Sequence, residues 1–236
     1  MLKFLSKEFV WSCMDDGVHT ELGWAKPDIH LKTWQDIAVY SRIKDLKDLK
    51  IAEIGGGKSR LLRCLSKNNT CYNVDKFAGQ HGGPAGEFKL SGVTNVLAFM
   101  GEFNRALEDE SFDIVCSVSV VEHVPDEGTK AFVDDMVRIL KPGGLCLHAI
   151  DMYVGDVVDP GSQRRLDLYR SWFDRPDVQP LEPPEASTAV FKSWMATNPD
   201  FTMWTWNRLA PSLVKMRMQM QSTSLLCGFR KYGEAS

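Results

Sequence analysis

The stretch Lys50-Ile-Ala-Glu-Ile-Gly-Gly-Gly-Lys-Ser-Arg60 decides how this 236-residue chain folds. After Lys50, the residues Ile51 to Ile54 form a short apolar run broken only by Glu53, the pattern of a buried strand. Three glycines stop the run at once. Ser59 to Leu65 then follows with helical spacing, so the turn leads directly from a strand into a helix. Glycines at such a place let a ligand approach the main chain, and the helix start offers N–H groups to it.

The same alternation continues downstream. Cys71-Tyr-Asn-Val74 reads as a second strand closed by Asp75, and Asn95 to Met100 as a third. Phe112 to Ser117 is a fourth, and Gly144 to Ile150 is a fifth, apolar nearly throughout as central strands are. Between the last two, Thr129 to Leu140 places Phe132, Val133, Met136, Ile139 and Leu140 on one helical side, and Pro142-Gly143-Gly144 stops it. The glycine-rich run from Gly79 to Gly92 is a loop. Strands alternating with helices predict an α/β fold around a mostly parallel sheet.

The remainder divides into three parts. Residues 1–48 read as an N-terminal helical segment, with helical spacing from Leu31 to Leu49. Residues 49–150 form the α/β core. Residues 151–211 carry many aromatic side chains and Pro180, Pro183 and Pro184, which reads as an inserted cap over one end of the sheet. In 212–236, Val214, Met216, Met218 and Met220 alternate with polar residues and Ser222 to Phe229 follows, predicting an antiparallel C-terminal hairpin. The whole is expected to be one domain.

Composition excludes several classes of function. With 44% apolar and 25% charged residues and a net charge of −3, the chain is an ordinary folded protein. The acidic balance argues against a nucleic-acid partner, which needs a basic face. No apolar run approaches the ~18 residues that would cross a membrane. Lys7, Glu8, Asp15 and Asp16 break the first apolar stretch, so it does not read as a signal peptide. The six cysteines show no paired or metal-binding spacing, which points to a reducing, cytoplasmic setting and no metal site. Nothing in the sequence speaks to an oligomeric state.

Three ligand classes use a glycine turn of this kind. A dinucleotide turn beginning at Gly55 wants Gly or Ala at position 60 and meets Arg60. Gly57-Lys58-Ser59 resembles the end of a phosphate-binding P-loop. That pattern would start at Ala52, put Glu53 among the phosphates, and leave the charged run Leu46 to Ile51 as the central strand. The third class has no such conflict. Glu53-x-Gly55-x-Gly57, with Asp75 closing the next strand, resembles motif I of the class I S-adenosylmethionine-dependent methyltransferases. Ser111-Phe-Asp-Ile-Val-Cys-Ser-Val-Ser-Val-Val-Glu-His-Val124 resembles the fourth-strand segment of the small-molecule branch of that family, and Leu140-Lys-Pro-Gly-Gly144 the turn before its fifth strand. The resemblance covers Lys50 to Ile150. Ser59 departs from it, standing where a third glycine is common.

The resemblance implies a Rossmann-like class I sheet and S-adenosylmethionine as cofactor. It also implies an enzyme that methylates an oxygen, or less readily a nitrogen, of a small metabolite or sugar. Asp75 then takes the ribose hydroxyls, Gly55 and Gly57 allow close main-chain approach, and Glu53 orients the turn or the ammonium group. Glu102 would face the adenine amine, Phe103 would give a neighbouring main-chain contact, and Ser117 would end the fourth strand beside the cofactor. His123, at the family's Glu-His position, and His148 with Asp151, at the end of the fifth strand, are the candidates for a catalytic base. The last two face opposite ways along an ideal strand and meet only if it breaks near Ile150. His81 in the glycine-rich loop is a candidate lid residue, and Trp206-Asn207-Arg208-Leu209 faintly resembles a stretch of sugar-modifying methyltransferases. The Asn/Asp-Pro-Pro-aromatic signature of enzymes acting on nucleic-acid bases is absent after the fourth strand. The alternatives are a P-loop nucleotide-binding protein and a non-catalytic binder on the same fold. Ligand-dependent melting separates the first of these. S-Adenosylmethionine at 100 times its Kd should raise Tm by roughly 5–10 °C, and a nucleoside triphosphate should leave it unchanged.

Overall fold

The computed structural model describes residues 1–24, 31–80, 83–198, 207 and 211–233. Eight strands build one sheet: β1 (Leu2–Phe4), β2 (Lys50–Ile54), β3 (Thr70–Val74), β4 (Val93–Val96), β5 (Phe112–Val118), β6 (Leu140–Val154), β7 (Val178–Pro180) and β8 (Gln221–Lys231). The order across the sheet is β4-β3-β2-β5-β6-β8-β1, with β7 also on β8. From β4 to β6 every neighbour is parallel, and β8 runs antiparallel to β6. The expected α/β class and mostly parallel sheet are therefore present.

The described helices cover both faces: α1 (Lys7–Asp15), α2 (Val18–Glu21), α3 (Leu31–Tyr40), α4 (Arg60–Leu65), α5 (Thr129–Ile139), α6 (Pro160–Arg170) and α7 (Pro211–Arg217). Alternation along each strand sends successive side chains to opposite cores. Ile54, Val115, Cys146 and Ile150 pack under Phe132 and Met136 of α5 and Leu166 and Tyr169 of α6. Ile51, Ile114, Cys116 and Leu147 meet Val10 of α1, Ile37 of α3 and Leu61 and Leu62 of α4.

The sheet departs from the sequence reading in four places, each for a reason of pairing. Residues 1–48 are not wholly helical, because Leu2–Phe4 adds to the edge of β8 opposite Leu225–Cys227. Three residues are too few to show a strand period. The third strand ends at Val96 rather than Met100, since β3 stops at Val74 and offers nothing beyond to pair with. The fifth strand, expected over Gly144 to Ile150, runs as β6 from Leu140 to Val154, held by β8 from Ile150↔Leu225 to Val154↔Gln221, so the break that His148 and Asp151 would need in order to meet is not there. Finally, among the described residues no hairpin closes the chain. The outer edge of β8 is already taken by Thr197 at Thr223, by β1 and by β7, and residues 211–217 form α7 instead.

The segment 151–211 is also less separate than a cap. It opens as the end of β6, contributes Leu166, Tyr169 and Trp172 to the α5-side core, and lays β7 on the sheet. Asp159 caps α6 by accepting from Ser162 N at 2.8 Å, with Pro160 at the first helical position. Among the described residues no helix is long and apolar enough to cross a membrane, and all six cysteines are free. Because Leu166 is fully buried, Leu166→Ala should cost ~2–5 kcal/mol of global stability in urea unfolding. A loss under ~1 kcal/mol would show that α6 is not part of the main core.

Candidate functional site

Strand order reverses between β2 and β5, with β3 and β4 to one side and β6 and β8 to the other. The carboxyl ends of strands at such a switch point form the ligand crevice of open α/β sheets. At the tip of β2 the chain turns through Gly55 (φ +62°) and Gly57 (φ +54°). A Cβ on Gly55 would lie 2.6 Å from Val120, and one on Gly57 3.1 Å from Pro84. Glycine is needed at both by conformation and by space.

The turn satisfies itself internally. Gly55 N donates to Val74 O at 2.8 Å, Gly57 N to Asp75 Oδ2 at 2.9 Å, and Asn73 Nδ2 to Gly57 O at 3.0 Å. Ser59 caps α4 by accepting from Leu62 N at 2.9 Å while its hydroxyl donates to Glu53. The departure at 59 thus has a structural use. Glu53 is buried behind the turn, and that burial pushes its carboxyl up to about 7 against the opposing pull of Ser59. A phosphate cradle needs N–H groups turned outward. Here two are spent inside the turn, and the Lys58 amine stands 5.3 Å over the Phe88 ring.

Asp75 is half-buried at the tip of β3. Besides Gly57 N it accepts from Phe77 N at 2.6 Å, which fixes both oxygens and leaves each a second lone pair. Glu102 comes to the same side of the crevice, but its carboxylate accepts from Phe99 N at 3.1 Å and pairs with Lys76 at 3.1 Å. The Phe99 N–H first, then Lys76, hold it below the usual carboxylate range. The main-chain contact expected from Phe103 is not free, because its N–H donates to Asp135 Oδ2 at 3.0 Å. The rings of Phe99 and Phe103 are about half exposed there, beside Leu97.

Ser117 and His148 are turned away from the crevice. β5 runs one residue past Ser117, whose Oγ lies 2.7 Å from His148 Nδ1, and His148 Nε2 lies 2.9 Å from Cys146 Sγ. His148 has no exposed surface and sits between Phe132 and Trp172. Burial lowers its pKa to about 3, so the imidazole is a neutral core group. Such a ring cannot receive a proton from an incoming substrate.

Asp151 faces the other way, as strand alternation requires, and belongs to a polar cluster at the crevice mouth. Its Oδ1 accepts from Gln35 Nε2 at 2.6 Å and from Ser119 Oγ at 3.1 Å, and Gln35 Nε2 also reaches Ser224 Oγ at 3.2 Å. Glu122 Oε2 accepts from Asp151 N at 3.4 Å. Its other oxygen is shut off from solvent without a hydrogen-bond partner, and His123 Nε2 stands 3.7 Å from it. The Lys32 amine of α3 donates to Val118 O at 3.3 Å. From α6, Arg165 holds this segment by donating to Glu122 O, Val124 O and Asp126.

Gln35, Ser119 and Glu122 are the functional candidates that sequence reasoning missed. Glu122 had a local signal, since it stands beside His123 in the quoted motif. Gln35 had none: its partner lies 116 residues away.

Residues 52–148 match the family model described as a methyltransferase domain. A putative sarcosine dimethylglycine methyltransferase from Galdieria sulphuraria superposes with a TM-score of 0.52 at 16% identity, covering 94% of this chain and 99% of that one. Phosphoethanolamine N-methyltransferase 2 of Haemonchus contortus, with S-adenosylhomocysteine bound, gives 0.52 at 15% identity over 85% of this chain, which spans only 52% of that protein's length. The [4+2]-cyclase SpnF gives 0.53 at 13% identity, covering 99% and 98%. No curated protein sequence matches the chain. Residues 52–148 thus resemble a methyltransferase domain, and the sheet is the fold that these superposed structures share.

The buried histidine makes a testable statement about stability. The folded pKa of His148, about 3, lies below the ordinary 6.5, so its contribution is full above pH ~6.5 and is lost as pH falls. Each pH unit below that should cost about 1.4 kcal/mol from this one residue. Urea melts of His148→Gln should show a shallower acid loss between pH 6.5 and 4.5. Equal slopes would mean that the imidazole reaches water.

Proposed function

We propose that this enzyme moves the methyl group of S-adenosylmethionine to an oxygen or nitrogen of a small-molecule acceptor held at the carboxyl ends of β5 and β6. The observation that carries the reading is Asp75, locked at the tip of β3 beside a glycine turn whose own N–H groups are already spent. Such a site suits a neutral ribose diol better than a row of phosphates. Charge-assisted hydrogen bonds to Asp75 would hold the diol at ~1.5–3 kcal/mol each. Gly55, exposed and at positive φ, leaves the main chain open to the cofactor's amino-acid end. Leu97, Phe99 and Phe103 offer an apolar ledge for the adenine, with Glu102 at its edge.

When bound, S-adenosylmethionine supplies a methyl carbon already activated by a sulfonium. The chain's part is alignment and the handling of one proton. An oxygen acceptor, the reading the sequence favours, needs a base. His148 is enclosed in the core, so that role falls to the groups at the crevice mouth: exposed His123, Glu122 and Asp151. A nitrogen acceptor is favoured by a specific observation, the two adjoining carboxyls of Glu122 and Asp151. Two superposed proteins, a phosphoethanolamine N-methyltransferase and a putative sarcosine dimethylglycine methyltransferase, agree by name with a small amine. The sugar-enzyme resemblance at 206–209 lies mostly outside the described residues, as does the lid candidate His81.

Asp75→Ala removes the ribose partner and the Gly57 anchor together. Calorimetric affinity for S-adenosylhomocysteine should fall on the order of 100-fold, about 3 kcal/mol. Unchanged affinity would refute the placement of the cofactor.

A further inference from the structure

We infer that the Glu122–Asp151 carboxyl pair is the acceptor-binding end of the crevice and that it takes a cationic amine. The inference rests on the cofactor reading above, because it places the acceptor beside the same turn. Val120 touches Gly55, and Glu122 follows two residues later, so the pair adjoins the glycine turn.

The pair is built rather than incidental. Gln35 and Ser119 fix one oxygen of Asp151, and the Asp151 N–H fixes one oxygen of Glu122. Glu122 Oε1 is enclosed and accepts no hydrogen bond, with only His123 Nε2 near it at 3.7 Å, although almost every buried acceptor in a folded protein has one. Charge points the same way. Asp36, Glu53, Glu122 and Asp151 bring four carboxyls to this end of the sheet, where the permanent cations acting on them are Lys32 and Arg60. Arg60 is committed to Asp36 at 2.6 Å, and the Lys32 amine to a main-chain oxygen.

The groups facing Glu122 are Asp151 on β6, Lys32 on α3, Tyr169 and Arg165 on α6, the last bonded to its main-chain oxygen, and His123 on its own turn. Burial first, then Asp151, push its carboxyl up to about 8, so it waits protonated at neutral pH. An ammonium arriving at the partly exposed side of Glu122 and turning its carboxyl outward supplies both missing items, a hydrogen bond for Oε1 and a positive charge, and displaces that proton. A neutral alcohol supplies only the donor, and an anion is repelled. Once bound, the ammonium can pass a proton to a carboxylate oxygen of the pair. Its N–H bond breaks, an O–H bond forms, and the lone pair stays on nitrogen, ready for alkylation.

Sinefungin tests this without knowledge of the acceptor, because an amine-bearing carbon replaces the sulfur of S-adenosylhomocysteine. Calorimetry on the full chain at pH 7.0 should find sinefungin at least tenfold tighter than S-adenosylhomocysteine. Heats in phosphate and Tris buffers should show close to one proton released for sinefungin alone. In Glu122→Gln both differences should vanish, and the proton count in the natural protein stands if that variant fails to fold. Equal or weaker binding of sinefungin, no proton release, or an advantage kept in Glu122→Gln overturns the inference and leaves the cofactor reading intact. Binding of neither molecule overturns both.

Discussion

One hydrogen bond, from the Gly57 N–H to the Asp75 carboxylate, ties the tip of β2 to the tip of β3 and fixes the floor of the crevice. The turn it closes holds Gly55 and Gly57 in the left-handed region, where side chains are strained and where Val120 and Pro84 leave no room for one. The loop after β3 folds back through Ala78↔Ala85 and lays Pro84 against Gly57. Asp75 thereby does two jobs with one group. It anchors the main chain, and under the proposed function its half-exposed carboxylate is also the ribose partner.

Burial, more than pairing, decides the protonation of the site. Glu53 and Glu122 are pushed towards neutrality by loss of water, as is His148 from the opposite direction. His148 is neutral among Ser117, Cys146 and aromatic rings, and nothing further is asked of it. Glu122 keeps an unmatched oxygen at the crevice mouth. Two titratable groups near the ends of adjacent strands therefore have different prospects, one structural and one chemical, according to which side of the sheet they face.

Position relative to the sheet also decides which polar groups stay available for a ligand. Phe103 and Ser117 stand where their neighbours in sequence suggested cofactor contact. Tertiary partners, Asp135 on α5 and His148 on β6, had already claimed their polar groups. The tail departs from its sequence pattern for a related reason. Alternating Met and Lys residues suit a strand only where a free sheet edge exists, and β8 has both edges filled.

What the sequence determined by itself was local. The strand-glycine-helix join at Lys50 to Leu65, the acid at 75, the helix at 129–139 and the parallel sheet follow from periods of two and 3.6 and from the backbone needs of glycine and proline. What only the tertiary structure decided was which residues separated by a hundred or more positions share one space: Leu2–Phe4 on β8, Gln35 on Asp151, and His148 sealed beneath Trp172. Pairing partners and exclusion from water are properties of the assembled sheet. A linear pattern encodes neither until the faces and edges are filled.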